Sequence, residues 1–193
     1  MTNVNIVLYD GFDPIDALGI GRLFELLPED YQIFYLSERS GYIESTGKVG
    51  VWTEYLIPIE VEGILLIPGG TGARRLLRTE PEACSTLKEA AENADYCMLI
   101  GNASSLLAQT GLLYHRNVAD YPGEDNWKNM FTAGLTRVQG VSWIADGKYY
   151  SCTDSMTGFS MACHIIAETA GLEAAEFAAR KIGLEWDPTG GHA

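Results

Sequence analysis

Two short apolar runs, each followed at once by glycine and then by a helix-forming pattern, constrain the fold of this chain most strongly. Residues 63–67 read GILLI before Pro68-Gly69-Gly70, and residues 96–100 read YCMLI before Gly101. An apolar run without alternation is typical of a strand that is buried on both faces, as the strands of parallel sheets are. These runs therefore predict two buried strands, of which the first is a central strand of a parallel sheet.

The first third of the chain alternates between strand and helix patterns. Residues 4–9 (VNIVLY) predict a strand that is closed by Asp10-Gly11. Aromatic and β-branched residues predict further strands at 31–36 and, more briefly, at 49–52. The helix between the first two strands is predicted by apolar residues at helical spacing, namely Ile20, Leu23, Phe24 and Leu27.

Two helices are predicted around the second buried strand. Thr79-Glu80-Pro81-Glu82 resembles a capping box, in which Thr79 caps the amide of Glu82, and this predicts a helix that ends at about Asn93. Residues 104–110 (SSLLAQT) predict a short helix that is stopped by Gly111.

The last part of the chain predicts a hairpin followed by two helices. Asp146-Gly147 stands between strand patterns at 141–145 and 149–152, which is a strong signal for an antiparallel hairpin. Helical patterns follow at 154–170 and 173–183, and the first is rich enough in Met, Phe, Ile and Ala to predict a largely buried helix.

Strands that alternate with helices, joined by right-handed crossovers, form a doubly wound parallel sheet with helices on both faces. We therefore predict an α/β fold of this kind with a small antiparallel hairpin. A length of 193 residues suits a single domain over residues 1–193. Pockets in such sheets lie beyond the carboxyl ends of the strands, so we expect a binding site at the turns there.

Composition argues against several classes of partner. The chain is 47% hydrophobic, but no apolar run approaches the roughly 20 residues that span a bilayer, so we expect no membrane segment. A formal net charge of −13 would repel a phosphate backbone, so we expect no nucleic-acid partner. The N-terminus lacks the basic region of a signal peptide, which predicts a cytoplasmic protein.

Cys84, Cys97, Cys152 and Cys163 lack the paired spacing of a zinc site. Free cysteines suit a reducing compartment, where they behave as small apolar residues. We therefore expect no disulfide and no metal, and the sequence implies no cofactor.

Four turns are expected to meet at the carboxyl edge of the sheet, at 10–16, 68–72, 101–104 and 152–154. In this order, the motifs around them resemble the DJ-1/PfpI superfamily, relatives of class I glutamine amidotransferases with a flavodoxin-like fold. The resemblance covers nearly the whole chain and is specific as an ordered set. It is carried by LYDGFDPIDALG at 8–19, LLIPGGTGARRL at 65–76, LLAQTGLL at 106–113, WIADGKYYSC at 143–152 and GLEAAEFAARKI at 171–182.

The resemblance implies a reactive cysteine on the sharp turn from strand to helix, and this sequence departs from that pattern. Counting back from Gly111-Leu112-Leu113 puts Gly101 at the position of the nucleophile, and glycine has no atom that can attack a substrate. The family's G-P-x-E, whose glutamate bonds the cysteine, reads Gly19-Ile20-Gly21-Arg22, and the segment near Ala119-Asp120-Tyr121 lacks the expected histidine. The resemblance therefore implies a divergent member that lacks the catalytic cysteine.

Two of the candidate pocket residues have a second interpretation. Arg22 also suits a surface ion pair with Glu25, and Cys152 suits the core better than it suits a reactive thiol. Ser104 and Ser105 suit capping or first-turn roles better than they suit a substitute nucleophile. The complete set of candidate pocket residues is Asp16, Arg22, Gly69, Gly70, Thr71, Gly101, Asn102, Ala103, Tyr121 and Cys152.

The leading hypothesis is a repurposed pocket that binds an unknown small molecule, with Arg22 and helix amides favouring a small anion. The alternative is an isonitrile-hydratase-like or hydrolase-like enzyme in which Asp16 activates water and backbone amides of the glycine turn polarise the substrate. A third hypothesis is a structural or protein-binding role with the pocket as a relic. The resemblance also implies a homodimer, for which Trp52 and Tyr55 are apolar surface candidates.

Overall fold

Within residues 1–80, 82–131 and 134–190, which the computed structural model describes, short strands alternate with helices along the chain. The strands are β1 (Thr2–Val7), β2 (Tyr31–Ser37), β3 (Gly41–Glu44), β4 (Gly50–Tyr55), β5 (Ile64–Ile67), β6 (Tyr96–Ile100), β7 (Asn117–Ala119), β8 (Thr136–Val138), β9 (Trp143–Asp146) and β10 (Tyr149–Cys152).

Eight of these strands form one sheet in the order β3-β4-β2-β1-β5-β6-β10-β9. The five pairs from β4 to β10 are parallel, while β3–β4 and β9–β10 are antiparallel hairpins at the two edges. Every residue of β5 is buried, and β5 lies between β1 and β6 as its unbroken apolar run predicts. The predicted mostly parallel, flavodoxin-like fold is confirmed.

Most helices stand in the connections between parallel strands. They are α1 (Ile20–Glu25), α2 (Ala73–Thr79), α3 (Ala83–Asn93), α4 (Ala103–Ala108), α5 (Asp125–Lys128), α6 (Ser155–Thr169) and α7 (Leu172–Lys181). A π-helical turn, Ile15–Gly19, precedes α1 directly. Helices α1, α6 and α7 contact one another, and α2, α3 and α4 contact one another, so they form two separate layers.

The long helix α6 begins where the sequence predicts, and its start is a capping box. The Thr157 amide donates to Oδ1 of Asp154 at 2.9 Å, and the Asp154 amide donates to Oγ1 of Thr157 at 3.1 Å. Each bond satisfies an amide that has no partner within the helix. This fixes the start of α6 directly after β10, beside the edge of the sheet where the turns meet.

The predicted capping box at Thr79 is wrong. Thr79 is the last residue of α2, where its hydroxyl donates to the carbonyl oxygens of Arg75 and Leu76. Helix α3 begins at Ala83 after Glu82, which makes no side-chain cap, although the helix ends at Asn93 as predicted. Helix α2 was not predicted, because Arg74 and Arg75 interrupt its apolar pattern.

Two further strand pairings were not predicted. Strand β3 pairs with β4 at the edge of the sheet. It is only four residues long, too short to show a clear alternation of apolar and polar side chains. Strands β7 and β8 form a separate two-stranded parallel sheet of three residues each. Within the described residues, no helix is both long and apolar enough to cross a membrane.

Candidate functional site

The turns after β5 and β6 lie side by side at the carboxyl edge of the sheet, because these two strands are parallel neighbours. Asn102 joins them. Its Oδ1 accepts from the Gly70 amide at 3.0 Å, and its Nδ2 donates to the Gly70 carbonyl at 3.0 Å. The prediction that Gly70 and Gly101 share one edge of the sheet is confirmed.

Gly101 has φ +53°, in the left-handed region that glycine adopts with least strain. Its amide donates to the carbonyl of Cys152 at 3.2 Å, which fixes the turn against the neighbouring strand β10. Among the described residues other than its chain neighbours, a Cβ atom at Gly101 would meet only the carbonyl oxygen of Thr153, at 3.9 Å. The sharp turn is therefore present, and the space where a side chain would project from it is open.

Asp16 lies beside these turns in the π-helical segment, and only 4% of its surface is exposed. Its Oδ2 accepts from the Gly69 amide at 3.0 Å, and its Oδ1 accepts from the Ser155 hydroxyl at 2.5 Å. The carboxylate therefore connects three segments, which follow β1, β5 and β10. Single π-turns inside helices recur at functional sites, and this one presents an acid.

Burial raises the pKa of Asp16 to about 6. The negative charges of Asp13 and Asp154 contribute to this raised pKa, and the hydrogen bonds from Ser155 and Gly69 partly offset it. Burial together with Asp16, Asp13 and Glu124 also raises the pKa of Tyr9, whose hydroxyl donates to the Pro68 carbonyl at 2.7 Å. The surroundings of the turns are thus acidic.

The glycine turn after β5 packs tightly against the rest of the site. A Cβ at Gly69 would stand 2.9 Å from Oδ2 of Asp16 and 3.0 Å from the carbonyl oxygen of Ile100, so any larger residue would require these groups to shift. The amides of Gly69 and Gly70 already donate to Asp16 and Asn102, so these two amides are not free to polarise a substrate as the alternative hypothesis requires. Thr71, the next residue, is exposed.

A hydrogen-bonded network extends from Asn102 away from the glycine turn. The side-chain Nδ2 of Asn102 also donates to Glu124 Oε2, at 3.1 Å. One helical turn further along α4, Ser105 Oγ bonds the Tyr121 hydroxyl at 2.7 Å and accepts from Arg137 Nη2 at 2.8 Å. Glu124 and Arg137 were not predicted, because each comes from a segment without a motif. Tyr121 was predicted at the site and is buried in this network.

Arg22 does not line the site, and its predicted pocket role is wrong. Its guanidinium pairs with Glu25 Oε2 at 3.3 Å, and 57% of the side chain is exposed. The preceding residue, Gly21, faces the sheet, where a Cβ would stand 2.9 Å from Ile6 Cδ1. Arg22 is one residue further around the helix and therefore points outward, as the surface-pair interpretation predicts.

Cys152 and Ala103 lie at the turns in sequence, but their side chains belong to the core. Both are fully buried, and burial raises the pKa of the Cys152 thiol to about 12. The core interpretation of Cys152 is confirmed, and the expectation that its thiol lines the pocket is wrong. Burial also raises the pKa values of Cys97 and Cys163 to about 12, while Cys84 is partly exposed.

Neither described histidine supplies a base to the turns. His164 pairs with Glu168 on its own helix at 3.2 Å and packs against Trp143, and His115 packs against Tyr114. Among the residues that the structure describes, no group of three or more His, Cys, Asp or Glu side chains is arranged to hold a metal ion. The chemically distinctive group at the turns is therefore the Asp16 carboxyl.

Comparison with known proteins places the fold. A model of the DJ-1/PfpI family matches residues 2–168, and no curated protein matches the chain. A THiJ/PfpI family protein from Pseudomonas syringae gives a TM-score of 0.82 at 16% identity, over 97% of this chain and 77% of that chain. DJ-1beta from Drosophila melanogaster gives 0.79 at 16% identity, over 96% of this chain and 99% of that chain. An AraC family transcriptional regulator from Pseudomonas putida gives 0.80 at 15% identity, over 94% of this chain and all of that chain (100%).

Proposed function

This chain belongs to the DJ-1/PfpI family, and we propose that it lacks the catalytic cysteine and binds a small molecule at the turns around Gly101. One observation carries the proposal. Gly101 occupies the sharp turn between β6 and α4 with φ +53°, and, apart from its chain neighbours, no described residue comes closer than 3.9 Å to the place where a side chain would begin. The sharp turn and the open space beside it support the proposal, since glycine supplies no atom that could attack a substrate.

The cysteines of the chain do not replace the missing thiol. Cys97, Cys152 and Cys163 are fully buried, and burial raises the pKa of each to about 12, so their thiolate forms are rare at neutral pH. Cys84 hydrogen-bonds the carbonyl of Gln109 at 3.8 Å, beyond the far end of α4 from Gly101. This supports binding without thiol chemistry.

The proposal is tested by thermal unfolding with small aldehydes, amides, isonitriles and carboxylates as probes. Gly101→Leu fills the open space, while Gly111→Leu is the matched control, since Gly111 also has positive φ and nothing within 4 Å of a Cβ. A probe that binds at the turns raises the unfolding midpoint of the native protein and the control but not of Gly101→Leu. Equal stabilisation of Gly101→Leu, or turnover abolished by thiol alkylation, would contradict the proposal.

A second candidate function is hydration or hydrolysis in which Asp16 activates water. It is supported by the pKa of about 6, which suits a general base near neutral pH. The engaged amides of Gly69 and Gly70 weigh against it, because a polarised substrate needs free donors. Isonitrile turnover that survives thiol alkylation, rises with pH through about 6 and is lost in Asp16→Asn would favour this function instead.

We also propose that the protein is a homodimer. The β3–β4 hairpin at the edge of the sheet carries exposed aromatic side chains, Tyr42, Trp52 and Tyr55, and Trp52 is 76% exposed. Apolar patches of this kind mark interaction surfaces. Light scattering should give a dimer mass for the native protein and a monomer mass for Trp52→Ser, with Tyr114→Ser, another exposed aromatic, as the control. A native monomer would contradict the proposal.

A further inference from the structure

Arg137 in β8 is a half-buried cation that has no salt-bridge partner among the described residues. Its Nη2 donates to Ser105 Oγ at 2.8 Å, but among the residues that the structure describes its Nε and Nη1 have no hydrogen-bond partner, although both atoms are shielded from solvent. Leaving a charged donor unpaired in the interior costs more than leaving a neutral one unpaired. A hydrogen-bond acceptor from outside the described residues would therefore stabilise the guanidinium.

Lys128, the neighbouring cation, has the acidic partners that Arg137 lacks among the described residues. Lys128 Nζ donates to Asp120 Oδ1 at 3.0 Å and to the Tyr121 carbonyl at 2.8 Å, and it pairs with Asp125 at 3.2 Å. The Asp120 carboxylate, which is close enough to influence Arg137, is thus already bonded to Lys128. Asp120 therefore bonds Lys128 and not Arg137, and the Nε and Nη1 donors of Arg137 have no partner among the described residues.

The groups that surround Arg137 form a built site. The guanidinium carbon lies 5.4 Å from the centre of the Tyr121 ring, which covers one face. Ser105 and Tyr121 are buried and hydrogen-bonded to each other, so the positions of both are fixed. Burial lowers the pKa of Arg137 from its ordinary value, which agrees with a charge held in surroundings of low polarity.

We propose that Arg137, supported by Ser105 and Tyr121, binds the carboxylate group of a small molecule. A planar carboxylate matches two parallel N–H groups of a guanidinium, whereas the nearby Asp120 charge repels a dianion such as phosphate more strongly than a monoanion. Binding includes a rotamer change of the Arg137 side chain, because Nε and Nη1 are shielded in the free protein. This site goes beyond the pocket at Gly101 and stands independently of it.

The test uses acetate as the probe, with chloride at equal ionic strength as the reference. Acetate should raise the thermal midpoint of the native protein above the chloride value, and Arg137→Gln should weaken the apparent acetate affinity by about tenfold or more. Arg22→Gln is the matched control, since it removes the same charge from an exposed ion pair and should leave the acetate effect intact. Equal acetate effects in Arg137→Gln and the native protein would overturn the proposal.

A second measurement does not require Arg137→Gln to fold. In protein labelled with ¹⁵N-arginine, acetate should shift one Nε–H resonance, and that resonance should be missing from the spectrum of Arg137→Lys, which keeps the buried charge. Phosphate at the same ionic strength should shift it less. The proposal fails if acetate leaves this resonance unchanged, as it would if enclosed water already occupied the free donors.

Discussion

The Gly69 amide and Oδ2 of Asp16 are 3.0 Å apart, and this hydrogen bond joins the glycine turn after β5 to the π-helical turn after β1. It places a buried carboxyl directly beside the turn that carries Gly101. The sequence motif predicted that Arg22, at the position of the family's glutamate, would lie in the pocket. Arg22 instead lies on the surface. The acid beside the turns is therefore Asp16.

Asp16→Asn should change how stability depends on pH. The folded pKa of about 6 is above the ordinary value of 3.8, so the folded protein binds the proton more tightly than the unfolded chain does. The native protein should lose up to about 3 kcal/mol of unfolding free energy as the pH rises from about 4 through about 6. The variant lacks this loss, because an amide does not ionise.

Urea unfolding of both proteins at about pH 4.5 and about pH 7.5 checks this expectation. Asp30→Asn, at an exposed aspartate, is the control and should keep the native pH dependence. If Asp16→Asn shows the same loss between the two pH values as the native protein does, then Asp16 is not the titrating group.

Asn102→Ala should destabilise the protein by about 1–3 kcal/mol, because it leaves the amide and the carbonyl of Gly70 without their partner. Asn93→Ala is the matched control, since Asn93 makes a single exposed bond to the Pro58 carbonyl, and it should cost less than about 1 kcal/mol. Urea unfolding measures both. Equal costs would show that Asn102 does not hold the two turns together.

Native protein treated with iodoacetamide should take up label at Cys84 and nowhere else. Cys97, Cys152 and Cys163 are fully buried, and burial raises their pKa values, which suppresses the reactive thiolate. Mass spectrometry should find one label on the native protein, four after denaturation, and none on native Cys84→Ser. Rapid labelling of Cys152 under native conditions would show that its thiol reaches the site.

The fold was predictable from the sequence because its signals are local. The apolar runs of β5 and β6 and the Asp146-Gly147 turn each determine their own structure, and all three are as predicted. Helix α2 was not predictable from periodicity, since its exposed face carries Arg74 and Arg75 next to two leucines. The capping prediction at Thr79 was wrong because the helix before it supplies carbonyl acceptors for the same hydroxyl.

The position of Gly101 and its neighbour Asn102 also follows from sequence, because the turn directly succeeds a buried strand. The partners of Asp16 do not, since Gly69 and Ser155 are 53 and 139 residues away along the chain. Arg137 carries no sequence signal at all. Its importance appears only when burial leaves two of its nitrogens without an acceptor among the described residues.

The central claim is that Gly101 occupies an open nucleophile position, and thiol labelling of Gly101→Cys tests it most directly. In a Cys84→Ser background, iodoacetamide should add one label to Gly101→Cys under native conditions, because the nearest described atom outside its chain neighbours is the Thr153 carbonyl oxygen, 3.9 Å from the new Cβ. Gly111→Cys, at another positive-φ glycine with open surroundings, shows the labelling rate of an ordinary surface thiol. The account predicts labelling of Gly101→Cys at least as fast as that of this control. An introduced thiol at position 101 that stays unlabelled while the control reacts would contradict it.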